Sequence, residues 1–276
     1  MAIADLIDST VRQLEDNGVT GTLLQDEWAA IQQADKAESD YCLVAAAWGE
    51  DPYDTSPDFE KLLLYAGARI GDAGLLADLA RAVPPESLLD STSWLLEASE
   101  ALDRQEGYLP PTVPLVWPPK AGIAPWKIGY SLARQVRDML ELHPADVVPI
   151  GDMVRVRQTK SAAPVNIDGL VRSVGSSDLA VVVGAHTGVR SQRFAAARAL
   201  GRRSISPIGG PSLLTRATKY GEQAERAFAA ELLAPAEGIE EVISGDFSDS
   251  SIEKAAEYYS VTSILIQHQI DNQIAA

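Results

Sequence analysis

The chain has 276 residues, 46% hydrophobic and 22% charged, with a net charge of −16. That balance describes a globular rather than a disordered protein, with length for one large or two modest domains. No run of about 18 apolar residues marks a membrane span, and the negative charge argues against direct nucleic-acid binding, which draws on Lys and Arg to neutralise phosphate.

The amino terminus, MAIADLIDSTVRQLEDNG, lacks the basic start and apolar core of a signal peptide, so a cytoplasmic protein is expected. Ile3, Leu6, Ile7, Val11 and Leu14 lie at helical spacing and predict a first helix near 3–17, ended by Gly18. A second is predicted near 22–48, where the lone Cys42 sits in the apolar run YCLVAAAW and is expected to be a small core residue. The acids of the following loop, GEDPYDTSP, lack calcium-loop spacing, whereas Ser56 before Pro57 fits a helix N-cap. Further helices are predicted over 57–70, 72–82 and 85–104, the last set apart by Pro84 and Pro85. Residues 1–106 thus form an expected acidic all-helical domain, with 6 basic and 22 acidic side chains. Residues 107–276 hold 17 of each, so the imbalance lies wholly in the first part.

Six prolines between Gly107 and Trp126 exclude regular helix or strand over most of that stretch, and 107–125 is expected to be a linker. A domain of 126–276 should follow. It opens with a helix carrying Ile128, Leu132, Val136 and Met139 on one face. Ser131 within GYSLA lacks the final glycine and preceding strand of a nucleophile elbow and is expected to be structural. Segments 154–160, 168–174 and 179–185 predict three short strands of a small antiparallel sheet. Helices are then predicted near 189–203, near 212–234 with Pro235 and Gly238 ending it, after a Ser250/Glu253 capping box, and from about Thr262.

The helix VRSQRFAAARALGRR has the build of a zinc-peptidase helix without its ligands. In H-E-x-x-H, residues four apart share a face, so two imidazoles can meet one ion with Glu as base. Here the five positions read Arg198, Ala199, Leu200, Gly201, Arg202. Arginine stays protonated and offers no lone pair to a metal. Between Leu179 and Gly221 there are no acids, while Arg190, Arg193, Arg198, Arg202, Arg203, Arg216 and Lys219 are present, giving a local basic region. His143, His186 and His268 lie outside the motif and never at i, i+4, and are expected to be surface or hydrogen-bonding residues.

Read in order, RFAAARALGRR, GEQAERAFAAELLAP and YYSVTSILIQHQIDNQ resemble the ImmA/IrrE family of metallo-endopeptidases over about 125–276. Members show R-F-T-x-A-H-E-x-G-H, then E-x-x-A-x-x-F-A-x-x-L-L-x-P, then V-S-x-x-x-I-x-x-(Q/R)-I/L-x-N. Arg193, Phe194, Ala197, Leu200 and Gly201 match the first. Glu222, Phe228, Ala229, Leu232, Leu233 and Pro235 match the second, and Val261, Ile266, Gln269, Ile270 and Asn272 the third. GYSLARQVRDML resembles the family's opening helix. The resemblance implies a zincin-like α+β fold, mostly helical. Carried over by position, it puts Arg198, Arg202 and Glu222 at the zinc-ligand positions and Ala199 at that of the base.

Only Glu222 retains ligand chemistry, so no bound zinc and no cofactor are expected. A lone buried Glu222 would be costly, which predicts an Arg198–Glu222 ion pair, shared with Arg202, at the former metal position. Arg190, Arg193 and Arg203 complete the expected basic patch. Family members often act beside helix-turn-helix repressors and cleave them. The expectation is therefore an inactive pseudo-peptidase kept as a regulatory or protein-binding module, its acidic helical part covering the basic region or presenting charge to a basic partner. The competing expectation, an active zinc endopeptidase cleaving a repressor, has only Glu222 and scattered acids behind it.

Overall fold

The computed structural model describes residues 3–103, 122–174, 178–205 and 210–275. The chain divides into two compact units, Met1–Ala77 and Asp78–Ala276. This division precedes the 106/107 boundary suggested by composition, and most of the expected 107–125 linker lies outside the described residues.

The first unit is helical. Helices α1 (Ile3–Asp16), α2 (Leu23–Ala47) and α3 (Pro57–Ile70) lie close to their predicted bounds, because the signals that set them are local. Thr22 and Gln25 cap α2 reciprocally, and Ser56 caps α3 with Pro57 in its first turn. Helix α3 ends at Gly71, whose φ of 69° is the left-handed conformation that glycine adopts freely. Trp48 meets Phe59 edge to face, with ring centroids 5.7 Å apart. Cys42 is half-buried rather than enclosed, 4.0 Å from the Tyr53 hydroxyl.

Helix α4 (Ala73–Ala82) runs across the division, and the second unit continues with α5 (Leu88–Asp103) and α6 (Pro125–Met139). Its sheet is mixed and four-stranded, in place of the expected three antiparallel strands. Strands β1 (Arg155–Gln158), β2 (Ile167–Val174), β3 (Asp178–Val183) and β4 (Ser212–Thr215) take the order β1-β3-β2-β4. Strand β1 is parallel to β3, while β2 is antiparallel to both β3 and β4. The fourth strand comes from SLLT, expected to begin a helix. Four residues are too few to carry a period, and Leu213 and Leu214 are both buried because both faces of the sheet are covered. Helix α5 covers one face, where Trp94 donates to Thr159 at 3.1 Å.

The other face carries Val171, Val181, Val183 and Leu214 into the main core with α7 (Val189–Ile205) and α8 (Tyr220–Leu233). Every residue of α7 from Ala195 to Gly201 is buried, so this helix runs through the centre rather than along the surface. Pro235 closes α8, but Gly238 lies inside α9 (Ala236–Ile243), packed on Pro144 and Tyr259. Helix α10 (Asp249–Tyr259) is capped by Ser248, two residues before the expected capping box, and α11 (Ser263–Gln269) starts close to the expected Thr262, which caps it. Ser131 sits within α6 and accepts from Gln135.

Glycine sets how closely the central helices approach. A Cβ on Gly129 of α6 would collide with the Ala224 carbonyl oxygen and lie 2.7 Å from the Phe228 nitrogen, both backbone atoms of α8 that cannot swing aside. At Gly201 of α7 the nearest atom is Phe228 Cδ1, at 2.8 Å. Gly129→Ala should therefore lower stability in urea unfolding by about 1–3 kcal/mol, the range for overpacking a dense core. Gly201→Ala should cost less, since a ring can shift.

Candidate functional site

Helix α7 brings Arg198 and Arg202, one turn apart, against α8, whose first turns carry Glu222 and Glu225 at i and i+3. Strand β2 supplies Asp168 and β4 supplies Thr215. Arg198 is 0% exposed, the largest fully buried side chain among the described residues. Its Nη1 donates to Asp168 Oδ2 at 2.5 Å, and its Nη2 donates to Glu225 Oε1 at 2.6 Å and to the Thr215 carbonyl at 2.7 Å. Arg202 Nε donates to Glu225 Oε2 at 2.5 Å, so the two carboxylate oxygens of Glu225, itself 0% exposed, are divided between the two arginines.

The expected partner, Glu222, sits one step aside. Its Oε1 accepts from the Thr215 hydroxyl at 2.7 Å and lies 3.9 Å from Arg202 Nη2. The Arg198–Glu222 pair is thus replaced by Arg198–Glu225, and the sharing with Arg202 passes mainly to Glu225. The reason is position along α8: Glu225 stands almost one turn deeper than Glu222 and meets the fully enclosed guanidinium. Burial works against the Arg202 charge, but the hydrogen bond and charge of Glu225, followed by the charge of Glu222, push its pKa up on balance.

Neither Glu225, Asp168 nor Thr215 was singled out in the sequence. Glu225 had a usable signal, an acid three residues after Glu222 on the same helical face. Asp168 had a weaker one, an acid at the start of an otherwise β-branched strand. Thr215 has none, because SLLT is too short to carry a strand period.

The basic patch does not form one solvated face. Arg190 pairs with Glu253 at 3.5 Å, both partly exposed. Arg193 donates to the Val148 carbonyl at 3.3 Å, and burial pushes its pKa down. Arg203 lies in the last turn of α7 and is half-buried. Ala199 is fully buried and contributes only a methyl group to the core. His143 is exposed near Glu241, while His186 and His268 line a cleft of about 1020 Å³ that runs past Arg190, Phe194 and Ala195 of α7.

Zinc, which the family resemblance implies, does not fit these residues. Two of the three ligand positions hold guanidiniums with every lone pair delocalised, and the carboxylates within reach are already neutralised by them. Among the described residues no group of three or more His, Cys, Asp or Glu is arranged to hold a metal ion. Set beside known proteins, the chain matches no family model and no curated protein.

What the arrangement does chemically is to fasten. Removing one partner of a buried ion pair strands the other, at about 3–5 kcal/mol, whereas exchanging both for apolar residues can be neutral. Arg198→Met should cost about that much in urea unfolding. Arg198→Met with Glu225→Leu should recover most of it, because Arg202 keeps Glu222 and Asp168 keeps Arg216, 3.0 Å away. A double-mutant cycle in which the two losses simply add would contradict the coupling.

Proposed function

We propose that this chain is a catalytically inactive relative of the ImmA/IrrE peptidases, acting as a regulatory or protein-binding module in bacterial or phage transcriptional or stress regulation. One observation carries the reading. The positions the resemblance assigns to two zinc ligands are held by Arg198 and Arg202, and both are committed to Glu225 in a buried ion-pair cluster. A cation at each of those positions repels a divalent metal and cannot coordinate it. With Ala199 in place of the base, a water there would have neither a metal to acidify it nor a carboxylate to deprotonate it.

A helix-turn-helix regulator is the partner this reading favours, bound without cleavage, in the cytoplasm. No helix among the described residues is long and apolar enough to cross a membrane. The full-length protein, dialysed against metal-free buffer and analysed by plasma mass spectrometry, should carry far less than stoichiometric zinc and leave casein intact when zinc is added. Stoichiometric zinc abolished by Glu222→Ala, together with casein cleavage, would replace this proposal with an active zinc endopeptidase.

A further inference from the structure

The cleft beside the ion-pair cluster has the size of a ligand site, about 1020 Å³. Its walls come from the segment leading into β2, the turn after β3, the first turns of α7, the middle of α8, and α11 with the turn before it. The lining includes three arginines, Arg190, Arg216 and Arg226, against one carboxylate, Asp168. That carboxylate is already shared between Arg216, at 3.0 Å, and the buried Arg198, at 2.5 Å. Arg190 is matched at the rim by Glu253.

Arg226 is left over. It is half-buried, and its hydrogen bond among the described residues is a long one, 3.5 Å from Nη1 to the Thr215 carbonyl. No carboxylate among the described residues lies within ion-pair distance of it. Burial pushes its pKa down first and the positive charge of Arg198 adds to that, against only partial help from Glu222, Glu225 and Asp168. A guanidinium held half out of water with donors to spare is a strong site for a planar anion, which it can grip with two parallel hydrogen bonds. Phe194, Val261 and Leu265 give the same cleft apolar wall for aliphatic stems.

We propose that this cleft binds an acidic peptide segment of a protein partner, with Arg226 gripping a Glu or Asp carboxylate. A peptide suits the site better than a free small anion because the cleft is far larger than one anion and is walled by apolar as well as cationic side chains. The contrast with the rest of the chain adds selectivity. In a chain of net charge −16, a cleft with three arginines and one carboxylate is a local exception that attracts an acidic segment to one place. This deepens the binding-module reading and rests on it.

The test is fluorescence anisotropy of the full-length protein with a fluorescein-labelled peptide alternating Glu and Leu, beside the same peptide with Gln for every Glu. The Glu peptide should bind at least about tenfold more tightly, and Arg226→Gln should weaken it about tenfold, equivalent to loss of one charge-assisted hydrogen bond. Arg226→Lys, which keeps the charge but loses the fork, should fall between. Arg12→Gln, which removes a positive charge from the N-terminal unit, should leave affinity unchanged. Equal binding of the two peptides, unchanged affinity in a folded Arg226→Gln protein, or an equal loss in Arg12→Gln would overturn the proposal. Should Arg226→Gln fail to fold, the Glu/Gln comparison on the native protein and Arg226→Lys still decide it. Mass spectrometry of the recovered peptide separates the two readings. Cleavage strikes at the inactive-enzyme reading alone, and loss of Glu/Gln discrimination without cleavage strikes at carboxylate recognition alone.

Discussion

A guanidinium with no exposure to water must have its charge answered inside the protein, and the answer given to Arg198 fixes how four elements meet. Its partners come from β2, β4 and α8, while its own backbone belongs to α7. Left unanswered, the desolvated charge would cost several kcal/mol. Answered by two carboxylates and a carbonyl, it specifies one relative placement of helix and sheet, because the fork of donors is planar and rigid. The surrounding core, from Val181 to Phe228, is apolar, and its contacts carry no directional preference of their own. The hydrogen bonds of the ion-pair cluster are directional.

The same helical spacing that lets two imidazoles share a metal puts Arg198 and Arg202 on a common face, yet the electrostatic logic is reversed. A metal site gathers neutral and anionic donors around a cation supplied from solution. Here the cations are built into the chain and the anions close around them, Glu225 with both oxygens and Asp168 with one oxygen to each of two arginines. Under the proposed reading, such an exchange leaves the framework of a peptidase standing without its ion. Under the same reading, the residues outside the catalytic positions, Phe194, Ala197, Leu200 and Gly201, keep their resemblance to a peptidase helix while positions 198, 199 and 202 do not. Gly201 illustrates the point: Phe228 of the second motif lies against it, and the contact owes nothing to a metal.

The elements legible in the sequence are those whose limits are set locally. Ser56, Thr22 and Thr262 announce helix starts by a side chain that bonds two or three residues on, and the structure uses each of them so. Strand β4 was illegible because SLLT has no local signature, and only pairing with a strand some forty residues earlier makes it a strand. The parallel pairing of β1 with β3 was hidden for the same reason. At the site, position along one helix was readable, which is why Arg198 and Arg202 were placed together. Depth was not. Choosing Glu225 over Glu222 requires knowing how far α8 sinks into the core, and that depends on Gly129 and Gly201 allowing two other helices to approach it.

The ion-pair cluster and the cleft are physically coupled. Arg198 anchors Asp168, Asp168 anchors Arg216, and Arg216 lines the cleft. The helix bearing Arg226 is the one that Glu225 fixes against α7, so the free guanidinium is mounted on a rigid element one residue from a buried ion pair. Association is favoured when groups at the interface have little freedom left to lose, since each flexible side chain ordered on binding costs about 0.5–1.5 kcal/mol. Arg226 is already half-buried, and its carboxylate neighbours are engaged elsewhere. A carboxylate entering the cleft therefore meets a donor pair that is positioned in advance and not neutralised from within. Loosening the cluster would blunt that advantage even with every cleft side chain intact, because α8 would no longer be held at the depth where Arg226 faces the opening.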